Sequence, residues 1–172
     1  MVRDIVIYPD KRLKLISKEV TVFDSELHSL LDDMYDTMLS KRGVGLAAIQ
    51  IGVAKRVLII NIPDDENDDD ALPVQSETLE IINPVFVKKE GKCKHQEGCL
   101  SIPGIYEDIE RAEHIVLEYN NRHGEKKTIN DNNFLAIAIQ HEMDHLEGKV
   151  FIEKLSILKR KKFEKEWKKK FK

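Results

Sequence analysis

The alternation of apolar and polar positions divides the chain into three helical stretches and several short strands. Around residues 131–148, Phe134, Leu135, Ile137, Ile139 and Leu146 leave little polar face, and Ala136 and Ala138 add helix propensity. The pattern predicts a buried helix, with Asp131 as N-cap and Gly148 as its stop. Leu27, Leu30, Leu31, Met34 and Met38 also recur at helical spacing, after Asp24 or Ser25 as cap. This earlier helix should end near Lys41-Arg42 and pack one face on the core, with His28 on its solvated side. Residues 156–172 read as a last helix with Phe163, Trp167 and Phe171 on one stripe.

Strands are expected at residues 56–62, 79–82, 85–87, 114–119 and 126–129. Asn83-Pro84 separates the second from the third, and Asn121-Arg122-His123-Gly124 turns the fourth into the fifth. Residues 91–101 alternate and then tighten into Glu97-Gly98-Cys99-Leu100-Ser101, where a strand could deliver Cys99 to the core. Cys93 and His95 fall on one face of that strand, which reads better as half-exposed than as a ligand pair. Residues 64–70 form an acidic loop lacking the glycine and terminal glutamate of a calcium-binding hand.

With 172 residues, 41% hydrophobic and 34% charged, the chain suits one soluble domain, read as a body at 1–152 and a basic helix at 153–172. No apolar run is long enough to span a bilayer. Pro9, Asp10, Lys11 and Arg12 interrupt any export-signal core, so a cytoplasmic chain with reduced Cys93 and Cys99 is expected. Residues 159–172 hold nine Lys or Arg against two Glu, although the whole chain carries −3. The tail is therefore basic on an acidic body, suited to docking by its aromatics or to an acidic partner surface.

The apolar helix also carries Gln140-His141-Glu142-Met143-Asp144-His145. Charged groups buried there need partners, and a metal ion would be one. His141 and His145 are one helical turn apart, so both rings can face one ion. Glu142 stands about 100° round the helix, beside the ion, where a general base is useful. The competing reading is a chance H-E-x-x-H on a surface helix. Two histidines are too few for a catalytic ion, which usually takes three protein ligands and water. The metzincin pattern fails because Phe151 fills the position of its third histidine. Glu164 would make a thermolysin-like peptidase but lies between Lys162 and Lys165. Cys99 is the remaining candidate, a thiolate suited to Zn²⁺ or Fe²⁺. Gly43-Val44-Gly45-Leu46-Ala47-Ala48-Ile49-Gln50, taken alone, is a turn that permits close backbone approach; as a phosphate loop it lacks the third glycine.

Taken together, the segments Gly43–Gln50, Glu97–Ser101 and Gln140–His145 resemble the three signature motifs of bacterial peptide deformylases, in the same order and at similar separations. The resemblance covers roughly residues 5–151. It implies an α+β fold, with small antiparallel sheets around a central helix bearing H-E-x-x-H, and hydrolytic removal of formyl from N-terminal formyl-methionine of new polypeptides. It implies Cys99, His141 and His145 as ligands of one divalent ion, Fe²⁺ or Zn²⁺, with Glu142 as base and the Leu100 N–H and Gln50 amide as oxyanion donors. Phe134, Ile137 and Ala138 share a helix face with His141 and, with Val44, could form the methionine slot. Gly45 is expected to bond the peptide backbone, and Glu97 to line the site and pair with Arg111 behind Cys99. The expected partners are N-formyl-methionyl nascent peptides and, through the basic tail, the ribosome surface; a monomer is expected. The alternatives are a metallopeptidase using Glu164 and a non-catalytic ribosome-associated metal module.

Overall fold

The computed structural model describes residues 1–63 and 73–170; the acidic loop at 64–70 and Phe171 lie outside the described residues. Helix α1 spans Ser25–Ser40, with Asp24 as its cap: the carboxylate accepts from Leu27 N at 3.1 Å. Strands β1 (Gly45–Ala47), β2 (Val57–Ile60), β3 (Leu79–Glu90), β6 (His114–Asn120) and β7 (Lys126–Asp131) form an antiparallel sheet in the order β1-β2-β3-β6-β7. A separate antiparallel hairpin joins β4 (Cys93–Cys99) to β5 (Ile102–Arg111). Helix α2 (Phe134–Leu146) is the buried helix, and α3 (Ile157–Lys170) the basic one.

The unbroken apolar run Val57-Leu58-Ile59-Ile60 is explained by helices on both faces of β2. Val57 and Ile59 join Leu27, Leu31, Met34 and Met38 of α1 in one core. Leu58 and Ile60 point the other way and meet Ala136, Ile139, Met143 and Leu146 of α2. A strand covered on both faces needs no polar alternation. At about 25 cal/mol per Å² of apolar area, burial of this kind is the main force holding α2 against the sheet.

The structure amends several local expectations. Residues 79–82 and 85–87 are one strand with an irregular register between Ile82 and Val85. Asn83 takes φ 51 at that point, and its side chain bridges Val20 N and O at 2.8 Å each. The amide thereby ties the irregular point of β3 to the Val20 segment, beside a proline that has no N–H to donate. Asp131 does cap α2 from a distance: its carboxylate accepts from Asn133 N and Ala136 N, while Asn133 occupies the cap position. His28 is not simply solvated, because its Nε2 lies 3.0 Å from Arg122 O and its ring packs edge-on against His123. Residues 43–50 are more than a turn, comprising Gly43-Val44, β1 and a 3-10 turn at Ala48–Ile51.

A third apolar core holds α3 to the body. Phe163 and Trp167 are buried with Leu13, Ile102, Val150, Phe151 and Ile152. Their rings meet Tyr8, and Trp167 Nε1 donates to Tyr8 O at 3.1 Å. The remaining faces of α3 present its lysines to solvent. Among the described residues no helix is long and apolar enough to cross a membrane.

Candidate metal centre

Helix α2 brings His141 and His145 to one place by the one-turn spacing of its sequence, and the end of β4 brings Cys99 to meet them. One ligand atom from each of the three lies within 4.8 Å of the others. Cys99 Sγ is 3.4 Å from His145 Nε2. Tetrahedral bonds of about 2.3 Å to sulfur and about 2.1 Å to nitrogen set that edge at about 3.6 Å, so the spacing fits an ion held by this donor set. Cys93 and Cys99 are both free thiols.

His141 Nδ1 lies 2.8 Å from Glu97 Oε1, which leaves Nε2 for the ion. Arg111 in turn clasps Glu97, with Nη2 to Oε1 at 2.7 Å and Nε to Oε2 at 2.8 Å, and reaches Asp144 Oδ2 through Nη1 at 2.6 Å. The expected Glu97–Arg111 pair is thus present, and Asp144, which sequence reasoning left without a place, is its outer member. Burial alone would push the Glu97 carboxyl up; the hydrogen bonds and charges of Arg111 and His141 outweigh it and hold the pKa at about 2. For His141, burial works against the cation, but Cys99 and Glu97 beside it raise the pKa well above the ordinary value. Burial, with the positive charges of His141 and Arg111, drives the His145 pKa well down.

Glu142 is also buried, and burial raises its pKa to about 7. Its Oε1 is 4.0 Å from His141 Nε2, while its buried Oε2 has no hydrogen-bond partner among the described residues. A Cβ placed on Gly45 would stand 3.0 Å from Glu142 Oε1, so glycine permits that close approach. Gln50 links the first motif to the second. Its Oε1 accepts from Ala47 N at 2.9 Å, and its Nε2 donates to Ser101 Oγ at 3.2 Å and to Cys99 Sγ at 3.5 Å. Gln140 fixes the helix from the other side, its amide pairing with both N and O of Ala112 at 2.9 Å.

Cys99, His141, Glu142 and Gln50 lie at the wall of a cleft of about 590 Å³. Val44, Gly45, Gln50, Glu97, Cys99, Leu100, Phe134, Ile137, Ala138, His141 and Glu142 all line it. Glu97 does so differently from the rest, because both its oxygens are committed to Arg111 and His141. Ser101, Ile105 and Tyr106 were not singled out from sequence; Ser101 enters through its bond to Gln50, and the others through the fold of β5 past the cleft. Glu164 instead pairs with Arg160 on α3, at 3.6 Å, and is not part of the metal-ligand group.

The sequence pattern of the polypeptide deformylase family matches residues 2–161. The chain belongs to this family. A peptide deformylase of Helicobacter pylori (strain P12) is 53% identical over 165 residues, covering 96% of this chain and 92% of its own. One from Campylobacter jejuni is 53% identical over 171 residues, covering 99% and 95%. Among solved structures, peptide deformylase from Ehrlichia chaffeensis in complex with actinonin aligns with TM-score 0.88 at 41% identity, over 98% of this chain and 97% of that one. A Met-Ala-Ser-bound deformylase from Acinetobacter baumannii aligns with TM-score 0.82 at 33% identity, over 90% and 99%. The deformylase fold is the α+β architecture described above. Deformylases are metal-dependent hydrolases that remove formyl groups, and a Cys/His/His group able to hold an ion is present here.

Proposed function

We propose that the cleft deformylates N-formyl-methionyl nascent peptides with one divalent ion, Fe²⁺ or Zn²⁺, held by Cys99, His141 and His145. The observation that carries this reading is the convergence of those three ligand atoms, with Cys99, His141 and Glu142 at the wall of the cleft. The Acinetobacter baumannii relative is bound to Met-Ala-Ser, which supports a short methionyl peptide as the ligand here.

When bound, the ion supplies Lewis acidity, making water acidic near neutral pH and drawing charge from the formyl oxygen. Glu142 accepts the proton of the attacking water at Oε2, whose lone pairs have no partner among the described residues. A carboxyl that titrates near neutrality is matched to both halves of such a transfer. As the water oxygen bonds to the formyl carbon, the Leu100 N–H and Gln50 Nε2 donate to the developing oxyanion. The C–N bond then breaks, Glu142 returns its proton to the leaving nitrogen, and formate and a free amine result. Phe134, Ile137, Ala138 and Val44 take the methionine side chain, and Gly45 on the edge strand β1 offers its backbone to the peptide. Glu97, Arg111 and Asp144 act through His141 as positioning residues.

The chain works in this reading as one unit in the cytoplasm, as a monomer, with the exposed lysines of α3 suited to the ribosome surface. Formate release from formyl-Met-Ala-Ser tests the reaction, on protein prepared under argon and assayed as isolated, chelated, and reloaded with Fe²⁺ or Zn²⁺. Activity removed by chelation and restored by an ion is the expected result. Folded protein that binds one ion and turns over with none would leave the peptidase or the non-catalytic module.

A further inference from the structure

We propose that Lys41 and Arg42 select the downstream sequence of the peptide, favouring an acidic residue at its third or fourth position. The inference rests on the deformylase reading above and specifies its substrate class.

The charged side chains lining the cleft fall into two groups. Glu97 and Glu142 are buried, and Glu97 is neutralised by Arg111. Lys41 and Arg42 are the exposed ones, and among the described residues neither makes an ion pair. The mouth is therefore cationic where those two residues stand.

Their placement is built into the backbone. Lys41 is the C-cap of α1, its N–H bonded to Thr37 O at 3.1 Å, and Arg42 N donates to Leu39 O at 3.1 Å. Gly43 N then donates to Met38 O at 3.0 Å and starts the lip that leads to Gly45. Arg42 takes φ 54, the left-handed conformation usual for glycine just beyond a helix. The other non-glycine residue with positive φ among the described residues, Asn83, uses its side chain to bridge Val20. Among the described residues no such side-chain bond accounts for Arg42. A residue kept in a disfavoured conformation at the mouth of a substrate cleft points to use of its side chain.

The spacing selects the substrate position. Gly45 lies against Glu142, where the formyl group reacts. From Gly45 back to Arg42 is three residues, through a bend at Val44 and the turn at Lys41-Arg42, so at most about 10 Å separates them, a distance that an extended peptide leaving past the same lip covers in about three residues. With methionine beside Glu142, the third and fourth residues come within reach of Arg42 and Lys41. A carboxylate there is attracted and an ammonium repelled, with a strength that falls as salt shortens the Debye length.

The test uses the metal-loaded enzyme on formyl-Met-Ala-Xaa-Ser and formyl-Met-Ala-Ser-Xaa, with Xaa as Glu, Gln or Lys, at low and high ionic strength. At low salt the Glu peptides should exceed the Lys peptides in kcat/KM by about three- to tenfold, the scale of two exposed charge contacts. High salt should bring the ratio towards one, and the double change Lys41→Glu with Arg42→Glu should invert it. Calorimetric binding of the deformylated products should follow the same order without turnover. Arg42→Gly separates charge from backbone: it should narrow the discrimination while raising Tm by about 2–4 °C, through relief of the left-handed strain. Formate from all peptides with equal kcat/KM, a Lys preference, or an order untouched by charge reversal would overturn the selectivity and leave the deformylase reading intact. Formate from none would remove both.

Discussion

Replacing Arg111 by methionine tests whether the ion is held by its support as well as by its ligands. The Arg111 side chain is 3% exposed and holds two carboxylates, Glu97 at 6% and Asp144 at 20%. Removing one member of a buried charge pair costs about 3–5 kcal/mol, because its partner stays buried without compensation. The shift at Glu97 gives a similar figure. A folded-state pKa of about 2 against an ordinary 4.5 corresponds to about 3 kcal/mol. Because the folded pKa is depressed, this stability is present in full above pH 4.5 and is lost as pH falls towards 2. In Arg111→Met it should be largely missing at neutral pH, and the melting temperature should depend less on pH across that acid window. Glu97 would also orient His141 less firmly, weakening the ion by about 10- to 100-fold. Thermal melts from pH 7 to acid and zinc competition with a chromophoric chelator measure the two effects. Adding Glu97→Gln removes the stranded charge and should recover part of the stability but not the affinity. A variant with unchanged chelator competition and the parental pH slope of Tm would refute the reasoning.

Glu142→Gln should keep metal affinity near that of the parent and lower kcat by about 10²–10⁴-fold, measured as formate release with metal content determined on the same sample. Gly45→Ala should reduce kcat/KM with little change in Tm, since the new methyl would stand 3.0 Å from Glu142 Oε1 and intrude on the peptide path. Trp167→Ala should destabilise the fold by about 3–5 kcal/mol, read by denaturant unfolding, because a 5% exposed ring and its bond to Tyr8 O are both lost.

The parts of the fold legible in the sequence were those with strong local patterning. The buried character of α2, the one-sided face of α1 and the shared stripe of Phe163 and Trp167 on α3 follow from spacing, because each helix writes its environment at every turn, whereas that the stripe docks on the body was one of two open readings. The one-turn separation of His141 and His145 is local in the same sense. Asp144 was not legible: its partner Arg111 lies 33 residues away, and no helical period announces a contact of that range. Asn83 looked like a break because it precedes proline, whereas its side-chain bond to Val20, 63 residues distant, lets the strand continue. The glycine-rich stretch looked like a turn because the β1–β2 pairing and the Gln50 link to Ser101 are made by other segments. Leu100 and Gln50 gained meaning from the conjunction of motifs.

Helix α2 is apolar almost all round, so the force that buries it says little about how far it is turned about its own axis. A rotation of about 100° would bring Glu142 to the angular position of His141 and still bury a comparable surface. The amide of Gln140, closed on both backbone atoms of Ala112, works against that freedom like a key in a slot. The hydrophobic core decides that the helix is inside, and one glutamine helps to decide which residue faces the ion and which stands beside it.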